Sequence, residues 1–195
     1  ELKGTEKLDT PKVKEIVQKV IDKEYSTKKE IISKNLKKIK FDWQKISPWF
    51  YKECYRIFEG RPWPKGKYIA YATIWGTYPR FIDNKTFTFP YKHKLKNYPH
   101  VVIAHEMLHF IFYDYLFKNY PKYKHKKYEK EIWQMSEIFN VLIQNSKKWR
   151  GKFKQKVIVY SKLTTKINKM EKILSTNFTA KDSIDNYKKR INLEF

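Results

Sequence analysis

His105-Glu106-Met107-Leu108-His109 is the segment of this chain in which residue types and spacing together prescribe chemistry. Histidines at positions 105 and 109 of a helix project from one face, about 6 Å apart along its axis. Both imidazoles can then reach a single metal ion at about 2.0–2.1 Å. Glu106 lies one residue on and can face the open position of such an ion without binding it. There it can take a proton from the water that zinc activates and, once a carbonyl has been attacked, pass it to the leaving amine. The competing reading is a pair of core histidines that happen to share this spacing. Only five His occur in the chain, and two of them fall here around a Glu. Val101, Val102, Ile103, Ala104, Leu108, Phe110, Ile111 and Phe112 make the segment a central helix. A Glu and two His buried in it without a metal would be costly unpaired groups.

The elements that must position this helix follow from hydrophobic periodicity. Residues 1–60 read as helices. Val13, Ile16, Val17, Val20 and Ile21 are spaced for one amphipathic helix after Pro11. Thr27 and Glu30 have capping-box spacing ahead of a second, and Ser47-Pro48 opens a third that Gly60 can end. Between residues 61 and 93 the pattern changes to β-branched and aromatic runs at 68–75 and 86–89, with a turn signal at Asp83-Asn84. Two or three antiparallel strands are expected there. Pro99 precedes the helix of about 100–117, a polar loop covers 118–127, and a second apolar helix spans about 128–145. Gly151 marks a boundary, beyond which 157–160 reads as a strand. Thr179 and Asp182 form another capping box ahead of Ile184, Tyr187 and Ile191. The chain thus divides into a helical region 1–60, a core 61–150 and a basic, mainly helical extension 151–195.

Composition bounds the function classes. Hydrophobic residues at 41% exclude a wholly disordered chain. No apolar run approaches the roughly 18–20 residues needed to span a bilayer. Residues 1–10 lack a signal-peptide pattern, although a chain starting at Glu1 leaves room for a removed leader. A single cysteine, Cys54, excludes an internal disulfide and favours a reducing, cytoplasmic setting. The formal charge is +23, and residues 147–195 alone carry 14 basic and 4 acidic residues. Such a charge can mark an anionic partner such as nucleic acid. The 38 Lys against 5 Arg favour a merely solvated surface, because Arg is preferred where phosphates or bases are read bidentately.

The five-residue motif resembles the zincin metallopeptidases, whose active-site helix carries HExxH. The likeness is greatest to the gluzincin branch, and within it to the small minigluzincins, over roughly residues 67–146. It implies an α+β fold in which a small antiparallel or mixed sheet packs on the HExxH helix and a following glutamate helix, with helical flanks. It further implies zinc held by His105, His109 and a glutamate of the second helix, where Glu137 sits in the apolar centre, 28 residues after His109. Asn140 follows one turn later on the same face, while Val141 stands where the family usually has an Asp. Two rivals for the third ligand are weighed beside it. His125 follows His109 by 16 residues, a spacing that resembles the Spartan-type proteases acting on DNA-linked proteins, but Lys122, Lys124, Lys126 and Lys127 surround it and oppose a dication. Glu131 lies near the helix start, where the dipole favours an acid in any case.

The expectation is a zinc-dependent peptidase acting on a peptide or protein substrate, with Glu106 as base and then acid. By resemblance, the strand at 68–75 would pair with the extended substrate. The alternative is a nucleic-acid-associated zincin-fold protein recruited by its basic tail. The flanks exceed what the core needs, so one of them could also cover the cleft.

Overall fold

The computed structural model describes residues 10–174 and 177–190. The expectations for residues 1–9 and for Ile191 lie outside them.

The three expected N-terminal helices are one. Helix α1 runs without interruption over Thr10–Ile57. The capping box at Thr27 is not used, because Thr27 Oγ1 donates to Lys23 O one turn back (2.8 Å) and the helix simply continues. Pro48 sits inside it and cannot donate to Gln44 O. Ser47 Oγ approaches that carbonyl at 3.5 Å, and the turns that follow bury Phe50, Cys54 and Ile57 completely. Packing there outweighs the penalty of about 3 kcal/mol for a proline within a helix. The helix ends near the expected glycine through a left-handed pair, Glu59 (φ 53°) and Gly60 (φ 80°), with Gly60 N donating to Tyr55 O at 2.8 Å.

The sheet is mixed rather than antiparallel. Strand β1 covers Ile69–Thr73, β2 Arg80–Phe81 and β3 Thr86–Pro90, in the order β1-β3-β2. A tight turn with Lys85 at φ 51° folds β2 antiparallel onto β3, with Arg80 opposite Phe87. This occupies one edge of β3, so β1 takes the other and pairs parallel, Ile69 with Thr86. Phe87 and Phe89 point into the core, where Phe87 meets Phe110 at 6.2 Å between ring centroids.

Helix α2, Tyr98–Asn119, is the central element, with Pro in its first turn and buried residues on every face. Two 3₁₀ turns, Pro121–Lys124 and Lys126–Tyr128, lead to α3, Glu129–Asn145. Side chains 144, 140 and 137 of α3 meet positions 101, 105 and 105–109 of α2, so the two helices run antiparallel. Gly151 lies within α4, Lys147–Phe153, instead of at a boundary, and Lys154 in the left-handed region (φ 55°) ends that helix. Residues 157–160 are irregular and not a strand. Helices α5, Thr164–Ile173, and α6, Ala180–Arg190, follow. The capping box at Thr179 forms as expected, with Asp182 N donating to Thr179 Oγ1 (3.2 Å) and Thr179 N to Asp182 Oδ2 (2.9 Å).

One hydrophobic cluster joins all of this. It takes Ile39, Phe50, Cys54 and Ile57 from α1, Phe58 just beyond it, the α2 and α3 faces, and Leu163, Ile167, Met170, Ile184 and Tyr187 from the C-terminal region. Both flanks are therefore built into the same core as the HExxH helix. Among the described residues, no helix is long and apolar enough to cross a membrane.

Candidate metal centre

Helices α2 and α3 bring His105, His109 and Glu137 together. Their ligand-capable atoms all lie within 4.8 Å of one another. Glu137 Oε2 is 3.1 Å from His105 Nε2, and Oε1 is 3.5 Å from His109 Nε2. The α2 residues share a face through their four-residue spacing, and α3 answers with positions 137, 140 and 144, also one face.

That face of α3 fixes the chemistry of His105. Gln144, 3% exposed, donates from Nε2 to Val101 O (2.9 Å), so its Oε1 is the acceptor for His105 Nδ1 at 2.8 Å. The ring proton of neutral His105 is thereby placed on Nδ1, and Nε2 turns a lone pair toward the Glu137 carboxylate. Asn140 adds a bond from Nδ2 to His105 O (3.1 Å). A histidine whose far nitrogen is held in this way is the usual arrangement of a metal ligand.

His109 makes the same point by default. It is 0% exposed, and among the described residues neither ring nitrogen has a hydrogen-bond partner. A buried imidazole left unpaired costs about 1–3 kcal/mol per lost bond. A cation between His105, His109 and Glu137 would satisfy His109 Nε2 and separate the two lone-pair bearers 3.1 Å apart. Two nitrogens and a carboxylate are a donor set that zinc accepts, with room for a fourth ligand. The residues present fit the ion.

The electrostatics agree. Arg80, from β2, reaches into the site, with one terminal nitrogen 3.4 Å from Glu106 Oε2 and the other 3.2 Å from Glu137 Oε1. Burial works against its charge, but the two carboxylates prevail and hold it cationic. Glu106, 5% exposed, has its carboxyl pushed up by burial, against the pull of His105 and Arg80. Burial pushes Glu137 the same way, yet its bonds to His105 and Arg80 bring it below the ordinary range. Burial opposes the charged form of His105, and Glu137 and Glu106 reverse that and raise it. His109 is driven well down by burial, with Arg80 and His105 adding to it. Glu106 and Glu137 thus share the one guanidinium of Arg80, and the same two carboxylates draw charge onto His105.

The rival ligands lie elsewhere. His125 is exposed, at the junction of the two 3₁₀ turns. Glu131 accepts a bond from the Tyr123 hydroxyl at 3.0 Å and stays outside the cluster. Val141 is buried, and Ser136 bonds back to Trp133 O within its own helix. Arg80 and Gln144 are the site residues that sequence reading missed. Gln144 carried a signal, since it follows Glu137 by seven positions on the same helix face.

The site opens into a cleft of about 570 Å³, lined by residues 76–80, by Tyr98, Val101, Val102 and Trp133, and by residues 157–160. Strand β1 does not line it. The expectation that residues 68–75 would receive a substrate is therefore corrected, because β1 pairs with the far edge of β3, while β2 on the other edge sends Arg80 into the site. Comparison with family models, curated proteins and solved structures finds no match to this chain.

Proposed function

We propose that the chain is a zinc-dependent peptidase. The observation that carries the reading is the contact of His105 Nε2 with Glu137 Oε2 at 3.1 Å beside a His109 that has no partner among the described residues, with Gln144 Oε1 on the other side of the His105 ring. Only a proton or a cation makes that contact favourable, and the orphaned imidazole of His109 beside it cannot be satisfied by a proton on His105.

His105, His109 and Glu137 would hold the ion, which supplies a Lewis acid that polarises a carbonyl and lowers the pKa of water to about 7. Glu106 stands next to the ligands without joining them, and burial makes it a stronger base than an exposed carboxylate. It takes one proton from the attacking water as the new C–O bond forms at the carbonyl carbon. It returns that proton to the amide nitrogen as the C–N bond breaks, which gives an acid and an amine. Arg80 bonds to both Glu106 and Glu137, and its charge works against the burial that raises the Glu106 carboxyl. The apolar lining of the cleft keeps other water away from these charges.

Replacing Glu106 by Gln tests the assignment. Hydrolysis of a pool of internally quenched peptides should fall by at least about 10³-fold, while one zinc per chain is retained. Activity that survives Glu106→Gln, or metal that is lost with it, would remove Glu106 from the mechanism.

A further inference from the structure

Two stretches of irregular chain line the cleft beside His105 and Glu106, residues 76–79 before β2 and residues 157–160 between α4 and α5. They differ in sequence, since the first reads Gly-Thr-Tyr-Pro, with a strand breaker at either end. Pro79 has no N–H, and its carbonyl is already taken by Thr88 N at 3.0 Å. Residues 157–160 read Val-Ile-Val-Tyr, four strong strand formers with neither Gly nor Pro. Among the described residues, the amides of Ile158, Val159 and Tyr160 have no partner, nor do the carbonyls of Val157, Ile158 and Val159. The stretch is nonetheless held at both ends. Val157 N donates to Asn145 Oδ1 (3.1 Å) at the end of the helix that carries Glu137, and Leu163 N donates to Tyr160 O (2.9 Å). It is a run of strand formers with no ladder of its own, tied in place at both ends beside the site.

Its side chains are equally unfinished. Ile158 is 60% and Tyr160 53% exposed, although both line the cleft. Tyr98, Val101 and Trp133 continue the apolar lining, and the charged groups in it, Arg80, Glu106 and Glu137, are engaged with one another. A charged side chain entering here would lose water and find no free partner, whereas a branched or aromatic one would cover Ile158 and Tyr160.

We infer that residues 157–160 are the edge that receives the substrate, an extended, uncharged peptide stretch rich in branched and aromatic side chains. Main-chain hydrogen bonds to this tail segment hold it, instead of bonds to the sheet. The inference rests on the peptidase reading and names its substrate class. It also gives the C-terminal region a task at the site.

The test uses the full, zinc-loaded chain carrying Glu106→Gln, so that bound peptide is not consumed. A fluorescent, end-blocked peptide with a Val-Leu-Phe-Val centre is titrated by anisotropy, beside a Gly/Ser peptide of equal length. The apolar peptide should bind at least about tenfold tighter than its Gly/Ser counterpart. N-methylation of one alternate set of its amides should weaken binding about tenfold or more, and methylation of the other set should matter little. Ile158→Asp and Val159→Pro should each cost a similar factor at unchanged zinc content. Equal affinity for both peptides, or indifference to N-methylation together with Ile158→Asp, would overturn the inference. The two readings fail separately. Binding that obeys these rules in a protein whose unaltered form never hydrolyses the peptide would end the peptidase reading and keep the edge. Hydrolysis with kcat/KM unchanged by Ile158→Asp and Val159→Pro would do the reverse.

Discussion

Replacing Gln144 by Met should weaken zinc binding while leaving the metal-free protein almost as stable as before. The side chain is 3% exposed, and Met fills a similar space without its amide. In the metal-free variant, His105 has an escape. Its proton can move to Nε2 and be donated to Glu137 Oε2, already 3.1 Å away, so no buried N–H is orphaned. With zinc on Nε2 that tautomer is closed, and the proton must stay on Nδ1, where the acceptor once at 2.8 Å is gone. The penalty of about 1–3 kcal/mol for an unmade buried bond then falls on the zinc-loaded state alone. That corresponds to a loss of about 5- to 150-fold in affinity, which spans the roughly 10- to 100-fold usual for removing a partner behind a metal-bound histidine. Competition against a chromophoric chelator measures the dissociation constant, and thermal unfolding with and without zinc separates the two states. Unchanged zinc affinity in Gln144→Met, or equal destabilisation of both states, would refute the tautomer argument and with it the strongest reason for placing an ion here.

Elemental analysis should give about one zinc per chain, lost in Glu137→Ala and retained in His125→Ala and Glu131→Ala; a loss confined to His125→Ala would move the third ligand. Arg80→Met removes the cation between two buried carboxylates and should cost the metal-free protein about 3 kcal/mol, much of it recovered on adding zinc; the same loss with and without zinc would show that Arg80 acts outside the site. His100, 6% exposed and within 3.2 Å of Ile39 O, is held below its ordinary 6.5 by burial. The folded protein therefore binds fewer protons than the unfolded chain as pH falls past that value. Stability is complete above about 6.5 and is lost as pH drops through the folded pKa, so His100→Gln should flatten that acid slope in urea unfolding. Cys54 is fully buried, with its thiol pushed well up by burial, and should react with a water-soluble disulfide reagent only as fast as α1 opens; rapid labelling of the native protein would contradict that packing.

The reach of sequence reading in this chain tracks how local each signal is. His105, Glu106 and His109 are set by the pitch of a single helix, and Glu137 by its place in the apolar centre of the next, so their positions were legible. The capping box at Thr179 formed for the same reason, and the one at Thr27 failed because a continuing helix offers its backbone better bonds than a cap does. Pro48 misled because its cost is local while the gain from burying Phe50, Cys54 and Ile57 depends on distant chain, as where Phe50 meets Trp149 of α4. The sheet direction depends on which edge of β3 is taken first, and the place of residues 157–160 on a bond from Val157 N to Asn145 Oδ1 of α3, neither of which periodicity encodes.

Arg80 was hidden in a different way, because its residue type alone does not say which acid it meets. With 38 lysines available to solvate the surface, the five arginines stand out by their scarcity. Arg56 grips Glu53 with two nitrogens, at 2.8 and 2.6 Å. Arg61 holds Asp114 on the HExxH helix, and Arg80 spans Glu106 and Glu137. Several lysines instead lie over aromatic rings, as Lys152 does over Trp49 and Lys162 over Trp133. A planar fork that stays charged when buried can bridge two carboxylates, and an ammonium that readily sheds its proton on burial serves there poorly. Three of the five arginines hold an acid in this way, while Arg150 is exposed and Lys148 shares Glu53 with Arg56; Arg80 is the one that bridges two buried carboxylates. Arg80→Lys sharpens the case, because it keeps the charge and removes the fork. If the bridge is what orients Glu106, hydrolysis should fall about tenfold or more while zinc content stays the same. Full activity with Lys at this position would mean that a positive charge alone suffices and that the geometry linking β2 to both helices is incidental.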